Sequence, residues 1–230
     1  MIFKKKIICI IPAKKKSVGL KKKNFRLING NSLFIHSINA ARRSKFIDRI
    51  VISSDSDKIL DTAKKLKIEA FKRPSKLSTS KAQVIEVIFH VLRKIKEKFD
   101  LIVLLQPTTP IILFREIDNA IKLLIQKNLN SVISIKNTNL SLLHLFNLNK
   151  KNFIRRLIKK KIISSNRQDY NSYYTPSGDF FISKIDKLIK VKSFYGKKCF
   201  GYITKNKFSV DINFKKDLEY LEFLLKKKYR

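Results

Sequence analysis

At 230 residues and 44% hydrophobic content the chain can bury one sizeable core, and its composition gives no sign of disorder. Its 52 basic and 17 acidic residues leave a net charge of +35, which invites a nucleic-acid reading. The basic residues are 41 Lys and only 11 Arg, spread over almost every polar segment; a reader of bases concentrates Arg for its bidentate fork, so a composition bias explains the charge and no specific nucleic-acid partner is expected.

In chain order, Ile7, Ile8, Cys9, Ile10 and Ile11 form an unbroken apolar run ending at Pro12. Such a run predicts a strand buried on both faces, the usual first strand of a parallel α/β sheet. The loop that follows therefore lies at the carboxyl edge of the sheet, where open α/β folds bind ligands. It carries Lys14, Lys15, Lys16, Ser17, Gly19, Lys21, Lys22, Lys23 and Asn24, a plausible cradle for a polyphosphate. Neither a Walker loop nor a GxGxxG turn is present, and by charge alone the loop also reads as a solvated basic segment.

Gly30, Asn31 and Ser32 supply a turn and a cap for a helix with Phe34, Ile38 and Ala41 on its apolar stripe. Residues 48–53 predict a second buried strand. Asp55 or Ser56 then caps a helix bearing Ile59, Ala63 and Leu66. A short strand over 67–71 leads to Arg73 and Pro74, and Ile85, Ile88, Leu92 and Ile95 mark the next helix. The strand over 101–105 delivers Gln106, Thr108 and Thr109 to the same carboxyl edge as the Lys14 loop. A helix with Ile117, Ile121 and Leu124 and a strand over 131–136 follow, whereas 137 to about 176 is irregular, basic and aromatic. Near the end Asp211 and Asn213 fall two apart in an extended segment, hence on one side, before a helix with Phe214, Leu218, Leu221 and Leu225.

Four motifs and an Arg-Pro step, in order, resemble the acylneuraminate cytidylyltransferases. The first motif of that family runs approximately IPARGGSKGIPRKN; Ile11, Pro12, Ala13, Ser17, Gly19, Lys23 and Asn24 match it in register, with Lys14 in place of its phosphate-binding Arg. Arg73-Pro74 fits an Arg-Pro step whose Arg helps hold cytidine. Residues 100–110, DLIVLLQPTTP, match DYVVLLQPTSP and resemble the sialic and legionaminic branch. Arg167, Pro176, Gly178 and Ile182 align with a sugar-site motif, and residues 209–213 correspond to Ser-Ile-Asp-Ile-Asp, whose two carboxylates hold Mg²⁺.

The resemblance implies a Rossmann-like nucleotidyltransferase fold: an α/β domain spanning 1–230, its mostly parallel sheet carrying helices on both faces, with 137–176 as a dimerisation arm that also serves the sugar site. It implies a homodimer that joins CTP and a nonulosonic acid into a CMP-sugar and pyrophosphate. Lys14, Lys23 and Asp211 would be catalytic. Ala13, Lys14, Ser17, Gly19, Lys23, Asn24 and Arg73 would bind the nucleotide. Gln106, Thr108, Arg167 and Gly178 would bind the sugar, and Asp211 with Asn213 would bind Mg²⁺. The departures are Lys15-Lys16 for Gly-Gly, Val18 for Lys, Gln83 for a serine that often contacts the nucleotide, Thr175 for a second Arg, Ser177 for Asn, Phe181 for Tyr and Asn213 for Asp. They leave two alternatives open: a nucleotidyltransferase for another acid sugar, or a basic polyanion-binding protein on a decayed transferase fold.

Cys9 and Cys199 are too few for a disulfide framework or zinc site, and His36, His90 and His144 lack metal-ligand spacing; all five read as structural. No apolar run approaches the roughly 18 to 20 residues of a membrane span, and the first run is too short for a signal peptide, so a cytoplasmic protein is expected.

Overall fold

In β1, Ile7–Pro12, the side chains of Ile7, Cys9 and Ile11 enter one hydrophobic cluster while Ile8 and Ile10 enter another on the opposite face. All five are fully buried, which is why the run does not alternate with polar residues. The computed structural model describes residues 4–17, 19–138, 145–150, 152–157 and 172–228. β1 is flanked on one side by β4 (Arg49–Ser54) and then β5 (Glu69–Lys72). On its other side stand β6 (Leu101–Leu104), β10 (Tyr173–Lys184), β7 (Ser131–Thr138) and β11 (Cys199–Ile203).

Six of these seven strands run in one direction; β10 pairs antiparallel with both neighbours. Helices cover both faces. α1 (Leu33–Arg43), α2 (Asp57–Lys65) and α4 (Phe114–Gln126) pack Phe34, Ile38, Ile59, Ile117 and Ile121 onto the Ile7 face. α3 (Val84–Lys94) and α5 (Ile185–Val191) pack Ile85, Ile88, Val91 and Leu188 onto the other. A smaller cluster joins Leu20, Ile28, Leu33 and Ile212 to Leu221 and Leu225 of α6, Lys215–Lys228. Connections leave β1 toward β4 and return to β6 on the opposite side, so the strand order reverses beside β1. That reversal opens a crevice at the carboxyl ends of β1 and β6.

Two small hairpins stand apart from this sheet. β2 (Leu27–Ile28) pairs with β3 (Asn31–Ser32), and β8 (Phe146–Leu148) pairs with β9 (Ile154–Arg156). The stretch expected to be irregular from 137 to 176 is regular at both ends: Asn137 and Thr138 close β7, and Tyr173 to Pro176 open β10. β10 was hidden because Pro176 and Gly178 break its pattern at a register shift between Pro176 and Phe181. Arg167, His144 and Val18 lie outside the described residues.

Neither cysteine is paired: Cys9 is in the core and Cys199 is half-buried. His36 Nε2 lies 2.8 Å from the Ile28 carbonyl, a structural contact. Among the described residues no helix is long and apolar enough to cross a membrane.

Candidate active site

The crevice beside β1 is a cleft of about 320 Å³. Lys14, Ser17, Gly19, Lys23 and Asn24 line it from the first loop, Arg73 from the end of β5, and Gln106 and Thr108 from the end of β6. These eight, expected at nucleotide or sugar sites, are brought together in this one cleft.

One carbonyl organises the entrance. The Ser53 oxygen, at the end of β4, accepts the Ala13 amide at 2.9 Å and Arg73 Nη2 at 2.8 Å. Arg73 Nε also reaches Ser53 Oγ at 3.3 Å. The guanidinium is thus pinned while only 6% exposed, and burial lowers its pKa, with Asp55 opposing that shift. The Asn24 side chain donates to the Lys14 carbonyl at 2.7 Å and closes the loop on itself.

Asp55 does not cap α2. Its Oδ1 accepts the Lys15 amide at 2.6 Å, tying the basic loop to the end of β4. Ser56 takes the cap position without a side-chain cap bond. Where the departure at Gln83 falls, the chain turns into α3: Gln83 and Glu86 form a reciprocal capping box.

The opposite lip is the segment that enters α6. Lys23 Nζ donates to the Ile212 carbonyl at 2.7 Å and to Asn213 Oδ1 at 3.0 Å, and Asn213 Nδ2 donates to Asp211 Oδ2 at 2.9 Å. Asp211 and Asn213 therefore do share a side, as the extended reading required. Asp217 caps the entry to α6: its Oδ2 accepts the amides of Asn213 and Phe214 at 2.9 and 2.8 Å. Gly19 packs so closely on this lip that a β-carbon there would overlap the Asn213 carbonyl oxygen. Burial lowers the pKa of Lys23; Asp211 and Asp217 oppose the shift, and Lys14 adds to it.

Three expected site residues stand back from the lining. Ala13 is fully buried in the core. Asp211 lies on the exposed lip beside Asn213. Gly178, with φ of 86°, faces Thr109 behind the cleft, and a β-carbon there would sit 2.5 Å from Thr109 Oγ1. Thr109 does not emerge at the edge as expected: it is fully buried, and its hydroxyl has no partner among the described residues.

A wall of Leu77, Thr79, Ala82, Val84 and Val87 completes the cleft. The resemblance pointed to this stretch only through Gln83; the lining residues themselves read as a loop and a helix start. Among the described residues the lining includes no carboxylate or imidazole, and no group of three or more His, Cys, Asp or Glu could hold a metal. The arrangement presents three cations, amides and hydroxyls to an anionic ligand.

Parallel strands, the reversal beside β1 and a basic cleft at the carboxyl edge define a nucleotidyltransferase-type α/β fold. A solved CMP:2-keto-3-deoxy-manno-octonic acid synthetase complexed with CTP has this fold, with a TM-score of 0.70 at 13% identity, over 97% of this chain and 99% of that one. A family model for cytidylyltransferases matches residues 8–228, and the chain belongs to that family. An N-acylneuraminate cytidylyltransferase of Escherichia coli O18:K1:H7 is 30% identical over 98% of this chain, but over only 53% of its own length. The chain thus spans about half of that relative. A CMP-N,N'-diacetyllegionaminic acid synthase of Legionella pneumophila is 30% identical over 83% of each chain.

Proposed function

We propose that this chain is a cytoplasmic cytidylyltransferase that joins CTP and a nonulosonic, sialic-type acid to give a CMP-sugar and pyrophosphate. The observation that carries the proposal is the convergence of Lys14, Lys23 and Arg73 on one cleft faced by Gln106 and Thr108. The anomeric hydroxyl oxygen of the sugar bonds to the α-phosphorus of CTP, and the bond from that phosphorus to the bridging oxygen breaks. Pyrophosphate leaves with the bond electrons, and the hydroxyl proton passes to solvent.

Catalysis of this kind rests on positioning and on neutralising the charge that develops. Lys14 and Lys23 neutralise the triphosphate, and Ser17, Gly19 and the tied-down loop present hydroxyl and backbone donors. Asn24 and Arg73 hold the cytidine. Gln106 and Thr108 orient the sugar, with Gly178 supporting them through Thr109 and Arg167 pairing with the sugar carboxylate.

A triphosphate substrate calls for a divalent cation. Mg²⁺ takes one or two carboxylates and leaves its other positions to phosphates and water, which the single exposed carboxylate of Asp211 fits. The Asn213 amide is engaged on both sides, its oxygen by Lys23 and its nitrogen by Asp211, so it orients Asp211. Asp211 would hold the cation there, and its chemistry would be to offset the charge of the phosphates.

Calorimetric titration with CTP, UTP and ATP in Mg²⁺ tests the nucleotide half of the proposal. CTP is expected to bind best, and Lys23→Met to weaken it about ten- to a hundredfold, the value of one hydrogen bond to a charged group. Equal binding of all three nucleotides would overturn it.

A further inference from the structure

The segment between β11 and α6 carries Asp211 and Asn213 to the cleft mouth without a strand or helix of its own over 204–213. What fixes it is a set of buried polar side chains behind the cleft. Glu116, in the first turn of α4, accepts the Lys205 amide at 2.7 Å and the Thr204 hydroxyl. Asn206 donates to the Ile111 carbonyl at 2.5 Å and, more distantly, to Asp179 Oδ1 at 3.4 Å. Asp179 Oδ2 accepts the Ser177 hydroxyl at 3.2 Å, and the Ser209 hydroxyl donates to the Ser177 carbonyl at 3.2 Å. Lys136 Nζ holds the Ser209 carbonyl at 3.0 Å, and the Ile212 amide donates to the Thr108 carbonyl at 2.7 Å.

Asp179 is 1% and Glu116 7% exposed, and among the described residues neither makes an ion pair. Taking two carboxylates out of water near one another is costly unless donors saturate them. The donors that do so come largely from the segment itself: Thr204, Lys205 and Asn206. A buried network of this kind fixes geometry more than it adds stability.

We propose that Asp179 and Glu116 are positioning residues: they suspend the 204–213 segment from β10 and α4, and so hold Asp211 and the anchor of Lys23 at the cleft mouth. Its consequence for nucleotide binding rests on the transferase reading of the cleft; the suspension itself does not.

The test uses the full chain with Asp179→Asn and Glu116→Gln, which keep shape and convert an acceptor oxygen into a donor. Amide hydrogen exchange is expected to quicken about tenfold across 204–213 while β1 and β6 keep wild-type rates. The dissociation constant for CTP in Mg²⁺ is expected to rise about five- to tenfold and KM with it, with kcat changed less than about twofold, because the reacting groups are reached more rarely but remain intact. Unchanged exchange in both folded variants would overturn the proposal, as would faster exchange with unaltered CTP affinity. Should either variant fail to fold, Ser209→Ala, which removes one suspension point from the segment side, must give the same exchange pattern. If the wild type binds no CTP, the transferase reading falls and the exchange data alone decide whether the segment is suspended as proposed.

Discussion

Gly19 sits where the basic loop touches the opposite lip, and the overlap a β-carbon would make with the Asn213 carbonyl leaves no room for another residue. Gly19→Ala is therefore expected to push the two lips apart, raising the dissociation constant for CTP at least about tenfold while circular dichroism stays native. Unaltered affinity would show that the contact is not needed. Asp179 makes a different prediction. Burial, with Glu116 adding to it, raises its pKa above the ordinary 3.8; the hydroxyls of Ser177, Thr204 and Ser209 oppose that shift. A carboxyl with a raised folded pKa contributes stability that is full below the unfolded pKa and is lost as pH rises through the folded value. The stability of wild type minus that of Asp179→Asn should thus fall as pH rises above about 3.8. Lys136 and Glu116 face the same network and are unchanged in the variant, so parallel urea-midpoint curves between acid and neutral pH would contradict the assignment.

At the scale of elements, β1, β4 and β6 were legible because strands buried on both faces leave continuous apolar runs that nothing else in a short stretch imitates. α1 through α4 were legible by their three- and four-residue spacing. β10 was not, since a strand crossed by Pro176 and Gly178 carries the signals of a turn. Asp55 was misread for a related reason: a carboxylate just before a helix serves as a cap or as a tie to another loop, and only the fold brings Lys15 within reach. In the cleft wall from Leu77 to Val87 only the position of Gln83 carried a family signal; the apolar lining residues themselves are defined by what lies opposite. The β8–β9 hairpin leaves Leu148, Phe153 and Ile154 65, 69 and 66% exposed. Leu148 and Ile154 face each other across the hairpin and are open for burial, and we propose that a second copy of the chain packs there, in line with the expected dimerisation arm. Light scattering should then report a dimer for the wild type and a monomer for the Leu148→Glu, Ile154→Glu double variant; a monomeric wild type at micromolar concentration would contradict it.

Across the whole molecule, a net charge of +35 adds a long-range attraction for any polyanion that salt screens over roughly 10 Å at 0.1 M. The cleft differs from the rest of that basic surface by holding its cations in fixed positions against one another, with Arg73 pinned by Ser53 and Lys23 by Ile212 and Asn213. Fixed geometry predicts chemical selectivity, whereas diffuse charge predicts none. The most direct measurement is pyrophosphate release from CTP and Mg²⁺ by the purified chain, offered N-acetylneuraminic acid, a legionaminic acid, a pseudaminic acid or Kdo, with Asp211→Ala beside the wild type. Release with one or more of the first three acids, abolished or greatly reduced in the variant, is the predicted result. No release with any sugar from folded protein, together with salt-sensitive binding of RNA and CTP alike, would contradict the transferase account and favour a basic polyanion-binding protein on the same fold.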